Sequence, residues 1–252
     1  MRLDRIIAVR NDKTVYRDGD RCLKVFSNTY SASQVLREAQ LLASVSEVGL
    51  PVPRLLSVTI WDGKWTIVTE YVHGTAMRER MDADLPEQRV NYLASFVRIG
   101  EHIHTSACPA LPSLRDTVAQ SIAVAHLSDS QKAYLHRLHT ALDTDGDKIC
   151  HGDFDPTNVV LTGGDGYRIL DWSHATHGNP AMDAACTYLL LCRSDGRAFA
   201  DDYLTRYAAV TGERNVRSYL PLAAVVRYVH ANADTRAFLT PFLYEQTNIM
   251  DK

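Results

Sequence analysis

Short runs rich in β-branched and aromatic residues, separated by turn residues, open the chain. RIIAVR (5–10), KTVYR (13–17) and RCLKVF (21–26) read as strands, since such side chains fit a pleated, half-buried surface. Asn11-Asp12 and Asp18-Gly19-Asp20 provide turns between them, which predicts an antiparallel start. A helix with legible ends follows. Ser31 and Gln34 match a capping box, Val35, Ala39 and Leu42 line one face, and Gly49 and Pro51 end it. RLLSVTIW (54–61) and KWTIVTEY (64–71) then form a hairpin through Asp62-Gly63.

The period changes after His73-Gly74. From Pro86 onward, Val90, Leu93, Ala94, Val97 and Ile103 recur at helical spacing. Residues 113–126 and 128–142 continue as two helices. Strand patterns return in KICHG, NVVLT and YRILDW, the last two joined by Gly163-Gly164-Asp165-Gly166. Helical patterns resume at 180 and run nearly to the end. The order predicts an α+β protein: a β-rich N-terminal lobe over 1–72 and a mainly helical C-terminal lobe over 73–252 that carries a small β insert.

Composition narrows the function classes. At 252 residues, 46% hydrophobic and 23% charged, the chain is long and apolar enough to fold around a sizeable core. A net charge of −3 supplies no positive field to recruit nucleic acid. The sequence lacks the apolar run of about 18 residues that a membrane span requires, and MRLDRIIAVR is too interrupted by charge to be a signal peptide. Cys22, Cys108, Cys150, Cys186 and Cys192 are odd in number and lack CxxC spacing. That pattern suits reduced thiols and an expected cytoplasmic location.

The candidate chemistry concentrates in CHGDFDPTN (150–158) and ILDW (169–172). Phosphoryl transfer needs a metal to bridge phosphate oxygens, a carboxylate to orient the attacking hydroxyl, and a cation to hold the phosphates. Magnesium takes hard oxygen ligands, few of them from protein. Asp153, Asn158 and Asp171 offer two carboxylates and an amide oxygen, and a hairpin starting at Asn158 would return the chain near it at Asp171.

HGDFDPTN, ILDW and the following HATHGNPAMDAACTYLLL resemble the catalytic and metal-binding segments of the aminoglycoside phosphotransferase and choline kinase group, relatives of the protein kinases. The resemblance extends upstream. Lys24 lies on the third strand, Glu38 in the helix after it, and VTEYVHG (68–74) looks like an adenine-binding hinge. It implies a protein-kinase-like two-lobe fold, with Asp153 as catalytic base, Asn158 and Asp171 as Mg2+ ligands, and Lys24 as the phosphate contact oriented by Glu38. It further implies Glu70, Tyr71 and Val72 at the hinge, with Asp183 and His151 supporting the catalytic loop. The implied partners are ATP or GTP and a small molecule bearing a hydroxyl, with no nucleic acid or membrane, and a monomer or homodimer is expected. Resistance to an antibiotic and ordinary metabolism are both roles that such enzymes fill.

Two departures stand out. Arg10-Asn11-Asp12-Lys13-Thr14, where a glycine-rich phosphate loop would lie, has no glycine, so the phosphate grip passes to other backbone or to side chains such as Lys13 or Thr14. Asn179 stands where many relatives carry aspartate. Two further readings stay open. A protein serine/threonine kinase is disfavoured because DWSHATHGNP enters a helix without a DFG-to-APE activation segment. A non-catalytic nucleotide-binding pseudokinase is disfavoured because lysine, base and metal aspartate are all present. The segment from 184 onward has no acidic excess, which weighs against a polycationic acceptor.

Overall fold

The computed structural model describes residues 5–9 and 12–244. Arg10 and Asn11, which the sequence assigns to the first strand and turn, lie outside the described residues. The chain begins with strands β1 (Arg5–Val9), β2 (Lys13–Asp18) and β3 (Arg21–Phe26), helix α1 (Ala32–Glu47), and strands β4 (Leu55–Trp61) and β5 (Lys64–Glu70). Next come β6 (Thr75–Ala76), α2 (Met77–Ala83), α3 (Pro86–Thr105), α4 (Leu114–Val124), α5 (Asp129–Ala141) and β7 (Lys148–Cys150). A 3-10 turn, Pro156–Asn158, leads into β8 (Val159–Gly163), β9 (Gly166–Ile169) and β10 (Thr176–Gly178). Helices α6 (Pro180–Ser194), α7 (Arg197–Thr211), α8 (Leu220–Tyr228) and α9 (Ala233–Leu239) complete the order. Packing divides the chain into two compact units, Met1–Asp84 with Pro156–Ser173, and Leu85–Asp155 with His174–Lys252.

The first unit is built on an antiparallel sheet in the order β1-β2-β3-β5-β4. Its register sorts the side chains by face. Leu23 stands opposite Val68, and with Val25 these form one cluster, lined by Tyr16 and Trp61. Because successive side chains alternate, Lys24 and Phe26 point the other way. On that face Phe26 and Ile67 pack against Val35 and Ala39 of α1. The helix begins at the capping box the sequence announces: the Gln34 N–H donates to the Ser31 hydroxyl, and the Ser31 N–H donates to the Gln34 side chain. Its fully buried positions are Val35, Ala39, Leu41 and Val45, with Leu42 half-buried beside them. A second sheet of this unit, β6-β8-β9, carries the 156–173 segment.

The second unit is mainly helical. Ala181, Met182, Ala184, Ala185, Tyr188, Leu189 and Leu191 of α6 are all buried, as expected of a helix surrounded on nearly every side. It packs against α7 and α8. The strand pair β7–β10 joins Cys150 to Thr176 and leads directly into the His151–Asp153 loop. No helix among the described residues is long and apolar enough to cross a membrane. The two-residue β6 and the short β10 and α2 escape pattern reading, since segments of that length hold too few positions to establish a period.

Candidate functional site

In the first unit, four charged side chains meet. The Lys24 ammonium ion-pairs with Glu38 of α1 and lies 2.9 Å from Asp171 Oδ1. Lys13 Nζ is 3.8 Å from Asp171 Oδ2. The sheet register accounts for part of this gathering. Lys24 pairs with Val15 and Phe26 with Lys13, so both lysines share the face covered by α1. Ala39 is buried against Phe26 on that face, and the preceding residue, Glu38, reaches Lys24. Asp171 arrives at the end of the β8–β9 hairpin. Val159 pairs with Ile169, and the Leu170 N–H donates to the Asn158 carbonyl at 2.8 Å, so Asn158 and Asp171 lie close along the paired chain.

The backbone and the charges at Asp171 both bear on its chemistry. Its φ of 56° lies in the left-handed region, which a non-glycine residue adopts at a cost that surrounding structure must hold in place. The sequence reading places Asp171 at a strand end; the strand in fact stops at Ile169 and the aspartate turns away from it. Burial alone would raise its carboxyl, but Lys24, Lys13 and the Ser173 hydroxyl outweigh this and hold it well below the usual carboxylate range. Burial alone would lower the Lys24 ammonium, yet Asp171 and Glu38 keep it above its ordinary value. Lys13 is lowered, first by burial and then by the charge of Lys24. The donor set suits magnesium: an ionised carboxylate with 28% of its side chain exposed, and the amide of Asn158, both hard oxygen sources.

In the second unit, the loop bearing Asp153 is fixed from below. Asp183 of α6, 3% exposed, accepts the His151 N–H at 2.8 Å and the Gly152 N–H at 2.7 Å. The His104 ring of α3 lies 3.0 Å from the same carboxylate, and the Tyr207 hydroxyl of α7 lies 3.2 Å from the other ring nitrogen. Burial alone would raise the Asp183 carboxyl; the hydrogen bonds from His104 and from the Gly152 N–H keep it lowered. His151, fully buried, accepts the Asp153 N–H on Nδ1 at 3.2 Å. Gly152 has φ 77°, and a Cβ there would lie 2.5 Å from the His174 carbonyl oxygen, so only glycine fits. Phe154 stacks on Phe96 with centroids 4.2 Å apart, and its carbonyl accepts the Thr187 hydroxyl. Asp153 thus sits between two anchored neighbours.

Arg227 in the last turn of α8 escapes sequence reading. Its guanidinium donates to Asp153 Oδ1 and to the Gly152 carbonyl, each at 3.1 Å. An arginine at that end of a helix is already explained by the helix dipole, so nothing in the sequence marks it. His104 is missed for the same reason, standing in a helix with ordinary spacing. In the segment expected to form the hinge, the Glu70 N–H donates to the Arg54 carbonyl and the Tyr71 N–H to the Asp20 carbonyl, while Arg17 lies over the Tyr71 ring.

Known proteins can now be set beside this geometry. No curated protein sequence matches the chain. Among solved structures, an aminoglycoside-3'-phosphotransferase of type VIII is 21% identical with a TM-score of 0.65, covering 88% of this chain and 92% of that one. A choline/ethanolamine kinase family protein from Mesorhizobium loti is 18% identical with a TM-score of 0.62, covering 96% and 85%. A thermostable mutant of aminoglycoside phosphotransferase APH(4)-Ia, in ternary complex with AMP-PNP and hygromycin B, is 13% identical with a TM-score of 0.65, covering 95% and 92%. At such identities the likeness speaks to fold, and the fold is the α+β, kinase-like one that the sequence implies. The family model described as "Phosphotransferase enzyme family" matches residues 6–219, and the chain belongs to that family.

Proposed function

We propose that this protein transfers the γ-phosphate of ATP or GTP onto a hydroxyl of a small molecule, with Asp153 as the base that orients and deprotonates that hydroxyl. The observation that carries the reading is the Lys24–Glu38–Asp171 constellation, assembled from a strand, a helix and a hairpin end in a chain of phosphotransferase ancestry. Lys24 holds the phosphates, and Glu38 keeps its ammonium from collapsing fully onto Asp171. Asp171 and Asn158 would hold Mg2+, which when bound neutralises charge on the transferring group. In this proposal the Glu70 carbonyl and the Val72 N–H would face the nucleobase, since the N–H groups of Glu70 and Tyr71 are already engaged.

Asp153 orients the acceptor because its neighbours are fixed: His151 and Gly152 hang from Asp183, and Phe154 is packed on Phe96. Orientation of this kind removes entropy from the barrier before reaction. The nucleotide role belongs to 1–72 and the acceptor role to 73–252 in this proposal, together with a cytoplasmic location. Similar solved structures include complexes with AMP-PNP and hygromycin B, which supports a nucleotide donor and a small-molecule acceptor. The cationic Arg227 next to Asp153 weighs against a polycationic acceptor and favours one that is neutral or anionic near its reacting hydroxyl.

Asp153→Ala should reduce turnover by about 100-fold or more while nucleotide affinity measured by calorimetry stays within a few-fold of wild type. Retained turnover would remove Asp153 as the base. Transfer to protein substrates rather than to any small hydroxyl compound would favour a protein kinase.

A further inference from the structure

We propose that Lys13 is a second phosphate-binding cation, acting beside Lys24 where a glycine-rich loop would otherwise grip the nucleotide. The inference rests on the phosphotransferase reading above and concerns how this chain meets the triphosphate.

Three observations lead to it. First, the register fixes Lys13 on the same face of the sheet as Lys24: Lys13 stands opposite Phe26 and Val15 opposite Lys24, so the lysines are diagonal neighbours across one strand pair. Second, Lys13 occupies a half-enclosed position, 18% exposed, where lysine is rarely placed without a partner. Third, its partnership is loose and shared. Lys24 Nζ and the Ser173 hydroxyl both reach Asp171 Oδ1 at 2.9 Å, while Lys13 approaches only Oδ2, at 3.8 Å. The two ammonium groups repel each other although Asp171 and Glu38 lie beside them, and an anion reaching Lys13 would give it the close partner that Asp171 does not.

The local sequence gives such an anion no other obvious support. The segment Arg10–Thr14 contains no glycine to let backbone N–H groups wrap a phosphate. Asp12 is committed elsewhere: its carbonyl accepts the Ser27 N–H at 2.8 Å and its carboxylate accepts the Tyr30 hydroxyl at 2.8 Å. If Asp171 were to hold a metal, its weak contact with Lys13 would be given up and that charge would be free for the phosphates. A lysine is a point charge on a flexible stem, suited to following phosphate oxygens without the fixed geometry of an arginine.

The test is calorimetric titration of wild type, Lys13→Met, Lys13→Gln and Lys13→Arg with ATP, GTP, adenosine and guanosine in the presence of magnesium. For whichever triphosphate wild type binds, Lys13→Met and Lys13→Gln should weaken binding by about 10-fold or more, the loss of one charge-assisted phosphate contact. Affinity for the matching nucleoside should be unchanged, and Lys13→Arg, which keeps the charge but not the flexible point-like head, should lose less than Lys13→Gln. A Lys13→Gln protein that melts lower but binds the triphosphate like wild type would make Lys13 a structural partner of Asp171 and overturn the inference. Equal losses for triphosphate and nucleoside would also overturn it. Failure of wild type itself to bind either triphosphate would instead sink the functional reading on which it rests.

Discussion

At the scale of single residues, the structure separates groups that hold charge from groups that aim it. Lys24, Glu38 and Asp171 hold charge: Asp171 and Glu38 keep the Lys24 ammonium raised against its burial, and Lys24 with Lys13 keeps the Asp171 carboxyl lowered. His151, Gly152 and Asp183 aim a loop, through hydrogen bonds that the burial of Asp183 makes expensive to break. Arg227 belongs to both groups, because one guanidinium bridges the Asp153 carboxylate and the carbonyl before it. Its replacement by alanine should lower kcat by about 10- to 100-fold, as expected when a reacting group loses its orientation, with nucleotide affinity unchanged. Arg227→Lys should recover only part of the loss, since an ammonium cannot span two acceptors as a planar fork does. Wild-type kcat in Arg227→Ala would reduce the contact to packing. The sequence reading names Asp153, Asn158, Asp171, Lys24 and Glu38 because they sit in recognisable spacing. Arg227 and His104 were illegible for the opposite reason: each is one polar residue in a helix, and only tertiary contacts bring it to the loop.

At the scale of elements, what was legible is what local chemistry decides. The capping box at Ser31, the Asp62-Gly63 hairpin and the glycine-rich turn after Thr162 are where the sequence puts them. Each rests on a few consecutive residues whose side chains or φ preferences act on their own backbone. Less legible were β6, β10 and α2, which owe their existence to neighbours rather than to period. The left-handed turn at Asp171 was also hidden, since aspartate adopts that conformation only when contacts insist on it. Helix α1 couples local structure to the site, because its start sets the register that brings Glu38 to Lys24. Ser31→Ala should therefore lower unfolding stability by about 1 kcal/mol, read from chemical denaturation. A loss within error would show that Phe26, Ile67, Val35 and Ala39 position the helix without its cap.

At the scale of the whole molecule, the order of elements carried more information than any one of them. A strand-rich start, a helical continuation and a small hairpin insert leading to Asp171 were all visible in hydrophobic period and turn placement. The 156–173 hairpin packs into one compact unit with residues before 85, a long-range association that periodicity does not encode. Fold and family agree with that order; the acceptor remains a matter of side chains such as Arg227, which fold does not decide. A chain that binds a nucleoside triphosphate with magnesium in order to transfer its phosphate must be stabilised by that ligand. The most direct test is the melting temperature of the wild-type protein with magnesium and ATP or GTP. At about 100 times the dissociation constant, mass action adds about 2.7 kcal/mol to the folded state. A magnesium-dependent rise of about 5 °C or more is expected with at least one of the two nucleotides, abolished in Lys24→Met. No rise with either nucleotide, in a protein that melts cooperatively, would contradict it.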